Sequence, residues 1–220
     1  DVPQVSANDA VKLVAEVSKT NPYINEPITV VYKLYFNYNV SIRDYKQLNK
    51  PTYNNFWSQN IDMKQLTIED GSLNGEKMAV VVLKKTVLYP QKSGALTIEP
   101  LSLELDLELP TNRRNFFGQY LTVREPKKVT AGAKTIKVKD LPTQGKPEDF
   151  SGAVGVFNFT AVPTRTSLKH GESLDLNVKV SGTGNLKLFE LPKPIVPAAL
   201  EVYDPVRNEQ VSTPLSGTTG

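Results

Sequence analysis

Residues 101–109 read Leu-Ser-Leu-Glu-Leu-Asp-Leu-Glu-Leu. A helix would scatter these leucines around its circumference. An extended strand puts Leu101, Leu103, Leu105, Leu107 and Leu109 on one face and Ser102, Glu104, Asp106 and Glu108 on the other. The leucine face must be covered, and the carboxylate face meets water. Upstream, residues 79–89 (Ala-Val-Val-Val-Leu-Lys-Lys-Thr-Val-Leu-Tyr) are rich in side chains that favour a pleated backbone. Between the two runs, Pro90-Gln91-Lys92-Ser93-Gly94 predicts a tight reversal. Leu96 and Ile98 are out of phase with the leucines that follow, which predicts a bulge or kink at Glu99-Pro100. Two long strands joined by a short turn need a second sheet over their apolar face, so the expected architecture is an antiparallel β-sandwich.

The rest of the chain reads as further strands. Residues 1–7 suggest a short first strand or arm. Residues 11–17 and 28–36 alternate and are separated by turn residues at Asn21-Pro22 and Glu26-Pro27. Residues 37–60 have weak periodicity, with short turns expected near residues 45–48. A short strand is expected at residues 66–69, followed by turns at Asp70-Gly71 and Asn74-Gly75. Residues 109–118 read as a loop, and residues 120–124 and 135–138 as strands. Pro142, Gly145 and Pro147 interrupt the pattern and predict a boundary. The expected organisation is a first sandwich over residues 1–140, a linker over 141–153 and a second unit over 154–220, with strands at 154–161 and 174–180. The polar tail, residues 213–220, is expected to fray.

Composition narrows the function. The absence of cysteine excludes disulfides, thiol catalysis and cysteine-ligated metal. With 26 basic and 23 acidic residues the chain lacks the concentrated positive charge that nucleic acid requires. No apolar run approaches the roughly 20 residues of a membrane-spanning helix. The sequence opens at Asp1 rather than Met, which reads as a processed or trimmed start.

An internal repeat lies at a constant offset of 146 positions, carrying Glu26 to Glu172 and Leu34 to Val180. Residues 15–21 match 161–167, and residues 26–34 match 172–180. Leu48-Asn49-Lys50-Pro51 is echoed by Leu191-Pro192-Lys193-Pro194. Each copy reads as strand, turn containing Glu, alternating strand and Pro-rich crossover, the opening of an immunoglobulin-like sandwich. Nothing in the second copy matches residues 78–109. The fold expected is therefore all-β, with tandem immunoglobulin-like antiparallel sandwiches, the second truncated. Its exposed sheet is expected to be mobile, or packed on the first unit or another copy of the chain.

Four stretches together resemble the BatD-like aerotolerance (oxygen tolerance) family of bacterial envelope proteins. They are residues 17–23 with 26–30; 82–85 through 88–94 to 97–100; 149–155 (Asp-Phe-Ser-Gly-Ala-Val-Gly); and 180–187 (Val-Ser-Gly-Thr-Gly-Asn-Leu-Lys). The likeness runs from about Val11 to Pro205. It implies a periplasmic ectodomain of repeated β-sandwich modules on a membrane-anchored protein, with signal and anchor outside this chain. It also implies partners: membrane proteins with von Willebrand factor A domains and tetratricopeptide-repeat proteins of the same system. No catalytic residue, cofactor or small-molecule substrate comes with it.

Among individual residues, Arg113 and Arg114 beside Phe116 and Phe117 form the leading candidate interaction surface, because arginine and aromatics anchor interfaces. The competing reading folds both phenylalanines back to plug the sandwich. Tyr53 and Trp57, near Phe56, form a second aromatic group suited to a sugar or a protein, or to a core. His170, the lone histidine, reads as a turn residue, and one histidine without cysteine does not make a usual zinc site. Glu104, Asp106 and Glu108 could serve paired acid–base work or form a solvated strand face. Residues 69–76 read as a hairpin turn rather than a calcium loop, and residues 149–155 as an inter-domain hinge. The reading that unites these features is a non-enzymatic scaffold module; the alternatives are a carbohydrate-binding or adhesion module and a carboxylate-based hydrolase.

Overall fold

A computed structural model describes residues 3–214 and the backbone of 218–219. One turn of helix, α1 (Ala7–Ala10), is capped by the Ser6 hydroxyl, which accepts from the Asp9 N–H. It leads into β1 (Val11–Val17), β2 (Ile28–Phe36), β3 (Ser41–Gln47), β4 (Phe56–Asn60), β5 (Ile68–Leu73) and β6 (Glu76–Pro90). Then come β7 (Gly94–Ile98), β8 (Leu101–Arg114), β9 (Tyr120–Ala131) and β10 (Lys134–Val138). After strandless residues 140–154 follow β11 (Gly155–Pro163), β12 (Leu176–Gly184) and β13 (Thr218–Thr219). The fold is all-β, and these strands pair antiparallel.

The longest strand, β6, organises one layer. It pairs with β2 along one edge and with β5 and β4 along the other, while β1 extends the sheet beyond β2. Asn74 and Gly75, both at positive φ, make the two-residue turn between β5 and β6. The facing strands form two smaller sheets, β3-β8-β9 and β10-β7. Leucines 101, 103, 105, 107 and 109 of β8 are at most 3 % exposed and join Leu13, Val30, Tyr32, Leu34, Ile98 and Ile136 in one buried cluster. Burying a leucine contributes about 1.5–3 kcal/mol, so this row is a major source of cohesion.

Five local expectations need correction. Residues 90–94 do not close a hairpin: β6 lies in one sheet, β7 and β8 in others, so the segment is a crossover between layers. The phase change at Glu99-Pro100 is a strand break, after which the partner changes from β10 to β3 and β9. Residues 37–60 hold β3 and β4; β3 is exposed along most of both faces, and its pairing with β8 rather than an apolar stripe fixes it. Residues 45–47 are therefore strand rather than turn. Residues 109–114 continue β8. Gly71 sits inside β5, where a Cβ would lie 2.8 Å from a Val80 methyl, so it serves close packing and not a turn. Half of the residues expected to fray, 215–217 and 220, lie outside the described residues.

The repeat is realised with the register intact. Val17↔Val30 in β1–β2 becomes Pro163↔Leu176 in β11–β12, and Val11↔Phe36 becomes Phe157↔Gly182, each shifted by the same 146 positions. The turn chemistry repeats as well. Glu26 accepts from Lys19 Nζ (2.6 Å) and the Tyr23 N–H (2.7 Å). At the equivalent positions Glu172 accepts from the Lys169 N–H (3.0 Å) and lies 3.7 Å from Arg165. The Ser18 hydroxyl accepts from the Thr29 N–H, as the Thr164 hydroxyl does from that of Asp175. A carboxylate that holds both a backbone donor and a cation fixes the connection, and with it the register of the strands it joins.

The two motifs at residues 149–155 and 180–187 meet across this second hairpin. Gly155 pairs with Gly184, and a Cβ on Gly182 would sit 2.1 Å from the Val156 carbonyl oxygen. Buried Asn185 completes the join: its Oδ1 accepts from the Val154 N–H (2.7 Å) and its Nδ2 donates to the Gly152 carbonyl (2.8 Å). Tyr89 Oη reaches the Gly184 carbonyl at 3.4 Å, linking the two copies.

Candidate interaction surface

The β8–β9 pairing runs from Leu101↔Ala131 to Arg114↔Tyr120, leaving residues 115–119 as a tip. Asn115 organises it. Its Oδ1 accepts from the N–H groups of Phe117 (2.9 Å) and Gln119 (3.0 Å), and its own N–H donates to the Gln119 carbonyl (2.8 Å). Gly118 adopts φ +77°, a left-handed conformation suited to glycine. Arg114 lies 4.2 Å over the Tyr120 ring, donates to the Tyr120 hydroxyl (2.6 Å) and donates to the Gly118 carbonyl (3.0 Å). These bonds close the tip on itself.

Phe116 is 98 % exposed and Phe117 83 %, so the rings do not fold back onto the buried core. They meet edge to face at 5.7 Å. Arg113 is also exposed. Residues 109–124 contain no acidic residue and carry Arg113, Arg114 and Arg124. The tip is thus apolar at its apex, cationic at its shoulders and braced internally. Ordering is already in place, which lowers the entropic cost of docking.

Tyr53 and Trp57 do not join this surface. Trp57, on β4, is half-buried and packs edge-on against Tyr89 at 5.4 Å. Tyr53 turns its buried hydroxyl inward; burial and the neighbouring Tyr53 hydroxyl push the Tyr32 phenol above its usual range. Two half-buried rings in these orientations do not present a flat exposed platform for a sugar.

The carboxylate row is engaged by its neighbours across the sheet. Glu108 accepts from the Thr122 hydroxyl (2.6 Å) and pairs with Arg43, which together hold its carboxyl below the ordinary range. Asp106 lies 3.9 Å from Arg124, and Glu104 stands opposite Lys46 and Lys128. Among the described residues no group of three His, Cys, Asp or Glu side chains could hold a metal. His170 is exposed, in the turn that Glu172 braces.

Sequence reasoning passed over Asn115, Gln119 and Tyr120, the residues that shape the tip. The signal was present: Asn three positions before Gly is a turn pairing. No family model, curated protein or solved structure matches the chain.

Proposed function

We propose that this chain is a non-enzymatic protein-interaction module of a bacterial envelope complex, and that the β8–β9 tip is its contact. The observation that carries the reading is the full exposure of Phe116 and Phe117 on a braced, cationic hairpin. Two exposed phenylalanines forgo about 1.5–3 kcal/mol each, a cost that an interface removes. The internal repeat and its matching register support tandem immunoglobulin-like sandwiches, the second represented by its β11–β12 hairpin. On the resemblance to the BatD-like aerotolerance proteins, the proposed setting of such a module is the periplasm, on a membrane-anchored protein. The partners proposed on that resemblance are membrane proteins with von Willebrand factor A domains and tetratricopeptide-repeat proteins of the same system, the A-domain proteins foremost. The proposed role of that complex is tolerance of oxidative or envelope stress.

Affinity co-purification from detergent extracts of the envelope tests this. The wild-type chain is expected to enrich A-domain membrane proteins, and F116S/F117S to lose most of that enrichment. Equal enrichment by both would move the contact off the tip, and no A-domain protein in either would remove the proposed partner.

A further inference from the structure

Alternation at the end of β6 turns two side chains away from the core. Leu88 lies in the buried leucine cluster. Val87 and Tyr89, on the opposite face, do not belong to that cluster, yet both are 0 % exposed. On the edge strand β4, Gln59 stands opposite Val87 and Trp57 opposite Tyr89, so all four side chains share this outer face. The outer face of an antiparallel sandwich ordinarily meets water. Here it is covered.

The cover comes from the second copy of the repeat. The Tyr89 hydroxyl donates to the Gly184 carbonyl (3.4 Å), and Lys187 Nζ donates to Gln59 Oε1 (3.3 Å). The segment that makes these contacts is fixed within its own unit. The Asn185 N–H donates to the Val154 carbonyl (3.2 Å), and its carbonyl accepts from the Leu188 N–H (2.8 Å). Gly184 and Asn185 are both buried. The covalent link is of the opposite kind: residues 140–154 hold no strand, and residues 142–149 are exposed. Such a tether leaves two units free to reorient unless a contact between them prevents it.

This contact lies at the end of the first sandwich away from the tip. Phe36 pairs with Ala79 near one end of β6, and Ser41, just beyond it in the chain, pairs with Glu108, where β8 departs for the tip. Tyr89 stands near the other end of β6, about 30 Å away at strand rise.

We propose that Trp57, Gln59, Val87 and Tyr89 form a docking joint for the second unit of this same chain, with residues 184–187 seated on it. The joint makes the chain a stiff strut that carries the tip at one end and the second unit at the other. It holds whatever the tip binds.

The chain has no cysteine, so nitroxides can be placed at K46C in β3 and T160C in β11, both exposed positions, and the distance between them read by pulsed electron paramagnetic resonance on the whole chain. One narrow distance population is expected. Q59K sets a second ammonium against Lys187, and V87K forces a charge into the joint; each is expected to abolish the narrow peak and broaden the distribution. Q59K keeps the test valid if V87K fails to fold, because Gln59 lies on the outer face of an edge strand, off the core. Quenching of Trp57 fluorescence by acrylamide is expected to rise as the peak is lost. A broad distribution in the parent chain, or a narrow peak that survives Q59K, would overturn the joint. Loss of the peak with Trp57 no more accessible would overturn it as well, since the contact would then lie elsewhere.

Discussion

Glu26 shows how one carboxylate sets a strand register. Burial acts to raise its pKa, but the Lys19 ammonium, the Tyr23 N–H and the charge of Lys139 outweigh it, and the group is held below its ordinary value of 4.5. A carboxyl depressed in the folded state stabilises that state above its unfolded pKa. The contribution is lost as pH falls through the ordinary carboxylate range and past the depressed folded value. E26Q is therefore expected to lower stability at pH 7 by about 1–2 kcal/mol, with the gap from wild type closing on acidification. Urea unfolding followed by the fluorescence of Trp57, in the same sheet as β2, measures both. A gap independent of pH would mean that shape, not charge, holds the turn. Glu172 makes the same backbone bond with a more distant cation, so E172Q is expected to cost less. This chemistry was half legible beforehand: the matching glutamates marked the repeat, but their donors are fixed only by the fold of the turn.

At the scale of the element, β8 carries two functions along one strand. Its first nine residues are a core face with a paired carboxylate back; its last residues lift the tip clear of the core. Leu105→Ala removes a fully buried side chain and is expected to cost about 2–5 kcal/mol in denaturant unfolding, against less than about 0.5 kcal/mol for Asp106→Asn on the solvent side. Similar costs for the two would contradict the assignment of faces. The alternation 101–109 was readable because period two has one physical meaning when a single face is buried. β3 was not readable, because a strand exposed along most of both faces has no stripe to declare it. Nor did composition say which way Phe116 and Phe117 would turn. That depends on the Asn115 bonds and the arginine stacked on Tyr120, which close the tip before it can collapse.

Over the whole molecule, the repeat accounts for most of what the chain presents. The first copy is closed over its leucines; the second shows the same hairpin in the same register, with Phe159 and Leu176 exposed on its apolar face. The 146-residue offset was legible because the turn glutamates, strand alternation and Pro-rich crossovers recur together. The crossover at residues 90–94 was not, since a Pro-Gly reversal looks the same whether it returns to its own sheet or passes to the facing one. The exposed hairpin tip is the surface on which the proposed interaction rests.

The most direct measurement is site-specific photo-crosslinking in intact cells, with benzoylphenylalanine at position 116 and, as a control, at exposed Tyr38. Position 116 is expected to give a crosslink to an A-domain membrane protein, and position 38 none. No crosslink from position 116, or equal crosslinking from both positions, would contradict an interaction made through the tip.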